Sequence, residues 1–264
     1  NKLGIEFTSS VSFENAAIMP KWQDKYGGGR YGSEFDWKTK QPTMSYQDYS
    51  KKYGYNYVDG FGNGVNDAGP RSWGPRMDIG LVLDQFTGKN QPWVSNPNNV
   101  NEFYETGITN DHSIALTKGS EAGAMRIFLA VNDIKGTTPN TDYKKYTSGF
   151  SGDLNLSKRL TAGINMTYAN NHSDNLPSQG YDGGGDNTAA SFVFFQRQVV
   201  IPPLKENWDK LDAFGRPFSY AQGEMNNPYA DAHNNASRTR NRLYGNVNMK
   251  YKITDWLSVM GRLG

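Results

Sequence analysis

The feature that most constrains this chain is a strict alternation of apolar and polar residues along extended segments. From Leu3 to Phe13 the odd positions are apolar apart from Ser9, and the residues between them are glycine, glutamate, threonine or serine. Successive side chains of a β-strand point to opposite faces, so a period of two gives one apolar and one polar face. The segment therefore predicts a strand longer than the usual length of about five or six residues.

The same period returns six times along the rest of the chain. The predicted strands lie near residues 2–14, 112–118, 124–134, 144–157, 159–170, 241–254 and 256–264. The second and third are short or imperfect, since Phe128 falls on the polar side of the third. Neighbouring strands joined by a few residues form antiparallel hairpins. The fold class predicted by this pattern is all-β and antiparallel.

Two architectures contain such strands, and the connections distinguish them. In a soluble sandwich the apolar face points into a core, whereas in an outer-membrane barrel it faces lipid and the polar face lines the lumen. Connections of a few residues near 118–124, 157–159 and 254–255 alternate with long ones near 15–111, 136–144 and 171–240. Short turns at one end and long extracellular loops at the other are typical of outer-membrane barrels. We therefore favour a transmembrane antiparallel β-barrel.

Seven strands do not complete such a barrel. An open sheet leaves unpaired backbone groups at both edges, and each costs several kcal/mol in hydrocarbon. The last predicted strand also runs up to Leu263 and Gly264. We expect the remaining strands, and a domain before Asn1, to lie outside this chain. Aromatic residues near predicted strand ends would form the interfacial girdles of the barrel. They are Tyr146, Tyr168, Tyr251 and Trp256.

Composition argues against several classes of function. The 28 Lys and Arg against 26 Asp and Glu leave a net charge of +2, which gives no global attraction for nucleic acid. No apolar run approaches the roughly 18 to 20 residues of a transmembrane helix. The absence of cysteine removes disulfides and thiolate metal sites. Neither the three widely spaced histidines nor any pair of carboxylates suggests a catalytic site, so a non-enzyme is expected.

Two glycine-rich segments have a functional and a plain interpretation. Gly27, Gly29 and Gly32 satisfy G-x-G-x-x-G, but no buried strand and amphipathic helix flank them, so an extracellular turn is preferred to a dinucleotide loop. Asp182 and Asp186 flank three glycines and could offer carboxylates to Ca²⁺. Their spacing does not fit the EF-hand pattern, so a solvated turn is preferred there and no cofactor is expected.

Five ordered motifs resemble those of SusC/RagA-type TonB-linked outer-membrane transporters, within the TonB-dependent receptor superfamily. The motifs read SWGPRMD at 72–78, NPNNV followed by FYETG at 96–107, KG followed by PNTD and KK at 135–145, NPY at 227–229 and YKITDWL at 251–257. They are spread over most of the chain, which makes the set more specific than any single motif. The resemblance implies that the chain is the N-terminal part of the barrel, directly after the plug domain of the family.

The resemblance also implies a function and partners. It implies a plugged barrel of about 22 strands, which imports oligosaccharides or peptides with energy relayed by TonB through the missing N-terminal region. A SusD-like surface lipoprotein would cover the mouth as a lid, and the outer-membrane bilayer and lipopolysaccharide would surround the wall. Residues 79–83 and the insert 46–66 depart from the family pattern, so specificity does not carry over. A structural scaffold barrel and a soluble β-rich module or hydrolase remain as alternatives.

The first long loop contains the candidate ligand residues. Aromatic faces stack on sugar rings or apolar side chains, while charged groups orient hydroxyl or peptide groups. The candidates are Arg71, Trp73, Arg76, Asp78 and Trp93. The plainer interpretation is that Trp73 and Pro75 anchor the loop against the barrel wall or the lid.

The second long loop contains an apolar cluster between Ala189 and Val200. Its aromatic residues Phe192, Phe194 and Phe195 are candidates for contact with the lid lipoprotein. An apolar cluster in an extracellular loop either buries itself or meets a partner.

Overall fold

The structure is a computed structural model that describes residues 3–29, 33–52, 71–177, 187–211, 215–221 and 225–264. The strands are β1 Leu3–Glu14, β2 Val82–Leu83, β3 Gln91–Pro92, β4 Gly107–Ser120, β5 Gly123–Lys135, β6 Asp142–Asn155, β7 Leu160–Ser173, β8 Arg238–Lys252 and β9 Ser258–Leu263. The α-helices are α1 Ser33–Lys40, α2 Tyr46–Lys52, α3 Asn99–Phe103, α4 Thr188–Ser191, α5 Pro202–Glu206 and α6 Pro228–Ala232, and a 3₁₀ helix spans Phe192–Phe194. None of the helices in the described ranges has the length and apolar character needed to cross a membrane.

The chain forms two compact units. The sheet unit contains Asn1–Glu14, Thr106–Leu176 and Asn235–Gly264, and the loop unit contains Asn15–Glu105 and Pro177–Asn234. In the sheet unit seven strands pair antiparallel in chain order, from β1 through β4–β9. This up-and-down sheet confirms the predicted all-β class, in the form of a partial barrel wall.

Some strands extend further than the alternation predicted. The strand expected at 112–118 is β4, which begins at Gly107 because its first residues complete the ladder with the end of β1, up to the pair Glu14 and Gly107. Residues 108–111 read Ile-Thr-Asn-Asp and lack a regular apolar side. A pairing partner, rather than a pattern, therefore sets the start of this strand.

One face of the sheet is apolar and exposed. Residues opposed in an antiparallel ladder share a face, so the register places Phe7, Ile114 and Leu129 in one row. Leu129 lies on an interior strand, yet 53% of its surface is exposed, and Val247 on β8 is 47% exposed. Both buried apolar clusters among the described residues consist of loop-unit residues. A lipid-facing barrel wall requires an exposed apolar face, whereas the apolar face of a sandwich is buried.

The apolar band has the height of a membrane-spanning wall. On β8 it runs from Leu243 to Tyr251, which corresponds to about 21 Å for strands tilted by roughly 40°, against a typical band of about 25 Å. Tyr168 lies at the long-connection edge of the band, and its hydroxyl donates to Asn241 Oδ1 at 2.9 Å. Beyond this edge the same face becomes polar, as at His172.

One irregularity of the sequence has a packing cause. Phe128 lies on the polar face, directly opposite Gly149 on β6. A Cβ built on Gly149 would lie 1.9 Å from the Phe128 ring. The aromatic ring therefore covers the bare backbone of the neighbouring strand, and Phe128 interrupts the alternation because the glycine leaves room for it.

The connection between β5 and β6 is an ordered turn. Asn140 has a left-handed backbone with φ of 59°, a conformation that asparagine tolerates better than most residues. Thr141 Oγ1 donates to the Thr138 carbonyl at 2.7 Å. Asn175 Nδ2 donates to the Asn140 carbonyl at 2.9 Å, and the Asn175 backbone N–H donates to Asp142 Oδ1 at 3.1 Å. The PNTD motif thus ties this turn to the end of β7.

The long connections form a unit with its own hydrophobic packing. One cluster joins residues from both connections, including Phe86 and Phe103 from the first and Leu204 and Tyr229 from the second. A second cluster contains Tyr46, Met77, Leu83 and Trp93, among others. The spans predicted as loops at 15–111 and 171–240 therefore contain helices and buried residues, because their aromatic residues pack on one another.

Candidate functional site

The glycine segment 27–29 and the strand-like residues 71–76 form the base of the candidate site. The Gly29 N–H donates to the Arg71 carbonyl at 2.8 Å, and the Trp73 N–H donates back to Gly29 at 3.0 Å. A Cβ on Gly74 would lie 1.9 Å from the backbone oxygen of Gly28. The two backbones approach so closely that no side chain fits between them, and this fixes the positions of Arg71 and Trp73.

The same glycine segment packs against two buried side chains. A Cβ on Gly27 would lie 2.4 Å from the Trp93 ring, and a Cβ on Gly28 would lie 2.2 Å from the Gln196 side chain. The Gly28 N–H donates to Gln198 Oε1 at 2.7 Å. Packing therefore requires glycine at 27 and at 28, and of these two only Gly27 belongs to the G-x-G-x-x-G pattern. The third glycine of that pattern, Gly32, lies outside the described residues.

A buried arginine connects the two long connections. Arg197 is 2% exposed. Its guanidinium donates to Asn99 Oδ1 at 2.8 Å, to the Pro97 carbonyl at 2.7 Å and to Asp24 Oδ1 at 3.1 Å. Asn99 Nδ2 donates in turn to the carbonyls of Gln196 and Val199 at 3.0 and 3.2 Å. The Asn-Pro-Asn-Asn motif at 96–99 thus binds the 196–199 segment through a satisfied polar network.

This network was missed from the sequence. Gln196, Arg197 and Gln198 interrupt the most apolar stretch of the chain, but the sequence does not indicate what these three side chains contact. Three adjacent polar residues inside an apolar run were the available signal, because buried polar groups in proteins are hydrogen-bonded.

A cleft of about 480 Å³ opens above this base. Its lining is Trp22, Gln23, Arg71, Ser72, Trp73, Val193, Phe195 and Arg197. Trp73 is 59% exposed and stacks on Tyr26, with ring centroids 6.1 Å apart and 29° between the planes. The Arg197 guanidinium lies 5.7 Å from the Trp22 ring. Such a cleft offers indole faces for stacking and polar groups for hydrogen bonds.

The structure brings together two of the five candidate ligand residues. Arg71 and Trp73 line the cleft. Arg76 and Asp78 instead form a two-bonded ion pair with each other, at 2.9 and 2.6 Å. Trp93 is 3% exposed, and its indole N–H donates to the Pro75 carbonyl at 3.1 Å. Trp93 therefore supports the loop from inside, because a bound ligand would not reach its ring.

Glu34 holds the backbone of Arg76 in place. Its Oε2 accepts the Arg76 backbone N–H at 2.7 Å, and its Oε1 accepts from Lys38 at 2.6 Å. Burial acts to raise the pKa of Glu34, but these two hydrogen bonds and the nearby positive charges lower it below its ordinary value. The hydrogen bond from Arg76 likewise lowers the pKa of the Asp78 carboxyl.

The three phenylalanines proposed for lid contact occupy different environments. Phe192 and Phe195 are each 3% exposed in the hydrophobic cluster of the loop unit, where Phe192 contacts Phe103 with ring centroids 5.0 Å apart. Phe194 is 47% exposed, and its neighbour Val193 is 68% exposed. The segment therefore buries part of its apolar surface and presents Phe194 and Val193 to solvent.

The NPY motif is part of the same hydrophobic cluster. Asn227 caps α6 by accepting the Tyr229 N–H at 3.0 Å, and its Nδ2 donates to the Leu204 carbonyl at 2.8 Å. The Tyr229 ring packs 5.0 Å from Phe103, and burial raises the pKa of Tyr229 to about 12. The motif thus stabilises the loop unit.

The remaining sites considered from the sequence are dispersed or undescribed. Asp182 and Asp186 lie outside the described residues. Within the ranges that the structure describes, no three His, Cys, Asp or Glu side chains gather in a way that could hold a metal ion. His233 stacks on Trp208 at 3.9 Å, while His112 hydrogen-bonds with Ser9 at 2.9 Å in the other unit.

Comparison with known proteins relates the fold to a transport complex. Neither a protein-family model nor a curated protein sequence matches the chain. Solved structures do match, among them one described as the RagAB peptide importer in the "closed-closed" state and one described as the RagAB peptide transporter. Each matches over 99% of this chain, with a TM-score of 0.54 and 14% sequence identity. The chain has the fold of part of the RagAB structures. It spans 27% of the length of the chain that it matches in each.

Proposed function

We propose that this chain forms the first barrel strands, and two of the outer loops, of a TonB-dependent outer-membrane importer. The exposed apolar face of the antiparallel sheet supports this proposal most directly, because a lipid bilayer is the environment in which such a face is stable. The fold likeness to the RagAB structures and the SusC/RagA motifs support the transport role. The protein is proposed to move its cargo without chemical change and therefore not to be an enzyme.

The cleft of the loop unit is the proposed first contact for cargo. Trp22 and Trp73 would stack on sugar rings or on apolar side chains of a peptide, while Gln23 and Arg71 would hydrogen-bond with hydroxyl or peptide groups. Oligosaccharides and peptides both suit this combination. The matched RagAB structures are described as a peptide importer and a peptide transporter, so peptides are the first class to test.

The proposed partners follow from exposed surfaces. A SusD-like lipoprotein would cover the outer loops, and the exposed side chains of Phe194 and Val193 offer it an apolar contact. Lipid and lipopolysaccharide would contact the apolar sheet face. TonB would act through the part of the protein that precedes this chain.

Uptake by the full-length protein tests this proposal. Cells that carry the Trp73→Ala variant should take up peptide more slowly than wild type at equal barrel abundance, and loss of TonB should abolish uptake by both. The Trp208→Ala variant, which changes an aromatic residue of the loop unit outside the cleft lining, serves as the control. Equal uptake with and without TonB would refute active import and favour a scaffold barrel. A fall in Trp73→Ala abundance would instead assign Trp73 to loop anchoring.

A further inference from the structure

Charge is unevenly distributed over the polar face of the sheet. Lys252 pairs with Asp255 in the turn after β8, at 2.6 Å. The remaining cations of this face on β6–β9 are Lys145, Arg238, Arg240, Arg242, Lys250 and Arg262. Asp153 is the single carboxylate among the described residues of the same four strands on this face. The chain as a whole has a net charge of only +2, so positive charge is concentrated here.

On the other half of the sheet, the polar face carries mostly acidic side chains. On the polar face of β1, β4 and β5 the charged residues are Glu6, Glu14, Asp111 and Arg126. Arg126 lies 3.7 Å from Glu6. The excess of cations is therefore a property of β6–β9 rather than of the polar face in general.

The first residues of β8 form an arginine ladder, defined as Arg238, Arg240 and Arg242. Alternate residues of a strand share a face and repeat about every 7 Å, so the three guanidinium groups follow one another from the long-connection end of the strand. The ladder faces Ser173, Asn171 and Ala169 on β7, all of them uncharged. Each of the three arginines is exposed, and no ion pair among the described residues includes them.

This arrangement is unfavourable without a counter-charge. Like charges on neighbouring side chains of one face repel one another, and neutral residues at the same sites would avoid this electrostatic cost. Arg242 is held along the strand by Tyr244, whose ring lies 5.8 Å from its guanidinium. Inside a barrel, walls of low dielectric constant concentrate the field of such a row, and arginine or lysine rings select anions in pores. Guanidinium groups also bind carboxylates through two hydrogen bonds.

We propose that the arginine ladder, with Lys145 in the row of Arg240 on the far side of β7, binds carboxylate groups of the cargo and makes the importer selective for anionic substrates. This inference rests on the proposed import function and assigns its substrate class. The carboxylates could belong to an acidic peptide or to an oligosaccharide of uronic acids, which share the chemistry that the ladder recognises.

Binding to the full-length protein in complex with its lipoprotein partner tests the inference. The probes are a Glu-rich octapeptide and its Gln counterpart, and a uronic acid oligomer and its methyl ester. Wild type should bind the carboxylate form of one pair about tenfold more tightly than its neutral form. This preference should weaken in 1 M salt, where the screening length falls to about 3 Å. The pair that shows the preference identifies the source of the carboxylate.

Three variants separate charge from structure. R238Q/R240Q/R242Q should lose the preference while it binds the neutral probe as wild type does, and R238K/R240K/R242K should retain most of it. Lys144→Gln removes a cation from the opposite face, where Lys144 pairs with Asp133 at 3.6 Å, and should leave the preference intact. A preference that survives in the Gln variant overturns the inference.

The other outcomes are also decisive. Equal wild-type affinity for charged and neutral probes overturns the inference but leaves the importer proposal standing. If the Gln variant fails to assemble while the Lys variant assembles, the ladder holds another part of the protein and the inference is wrong. If wild type binds none of the four probes, the importer proposal fails for these cargo classes and the inference fails with it.

Discussion

Arg197 allows a quantitative test of how the loop unit is held together. The Arg197→Ala variant removes the donor to Asn99 Oδ1, and Asn99 is fully buried. A buried acceptor without a partner costs about 1–3 kcal/mol, and hydrogen bonds to a charged group contribute about 1.5–3 kcal/mol. Asp24, whose side chain is 43% exposed, adds little because solvent screens its pairing. We expect a loss of about 3 kcal/mol in the local stability of the network.

Hydrogen exchange of the full-length protein in detergent measures this loss. A change of about 3 kcal/mol corresponds to a roughly hundredfold larger opening equilibrium constant. The backbone amides of Asn96, Asn99 and Val199 donate within the loop unit and should exchange about a hundredfold faster in the variant. Amides of β5–β7 should be unchanged, because the buried clusters of the loop unit include no sheet residues.

The Lys21→Ala variant is the control, since it removes an exposed cation of the same unit. Unchanged exchange at residues 96–99 in Arg197→Ala would refute the reasoning. Equal acceleration in the loop unit and in β5–β7 would show that the two units unfold together.

Three further predictions concern the two units. Leu129→Arg should lower the abundance of the barrel, because arginine on the apolar face costs about 2–4 kcal/mol on insertion, whereas Ala130→Arg, on the polar face, should be tolerated; quantitative blots of outer-membrane fractions compare the two variants. Gly74→Ala should destabilise the loop unit by about 1–3 kcal/mol, because its Cβ would meet backbone at 1.9 Å; limited proteolysis measures this, and wild-type resistance would contradict the close approach. The pKa of Glu34 is lowered in the folded protein. The Glu34 carboxylate therefore stabilises the fold fully at pH values above its ordinary pKa near 4.5, and this stabilisation is lost as the pH falls through the lower pKa of the folded state. Exchange in residues 71–78 should therefore rise at acidic pH in wild type but much less in Glu34→Gln, and parallel pH profiles would contradict this.

The sheet was largely predictable because its physics is local. Alternation alone indicated the strands of the sheet and their two faces, since a residue on the proposed lipid side must be apolar whatever its neighbours are. The prediction was incomplete where the apolar band ends, as at residues 108–111, because beyond the proposed lipid-facing band the same face no longer has to be apolar. There the strand continues because its partner β1 continues.

The candidate site was only partly predictable because its geometry depends on distant residues. Residue types indicated Arg71 and Trp73, and the structure places both in the cleft lining. They could not indicate that Trp93 is buried, since its burial depends on Gly27. Arg197 was missed because its partners lie about a hundred residues away.

The shared packing of the two long connections has an evolutionary consequence. Residues 15–105 and 177–234 each contribute to one hydrophobic cluster, and Arg197 from the second is bonded to Asn99 from the first. A graft that exchanged one connection for that of a relative would leave the other with exposed aromatic side chains and unpaired polar groups. The heritable unit of the proposed cargo specificity is therefore the pair, and the two segments should be inherited and engineered together.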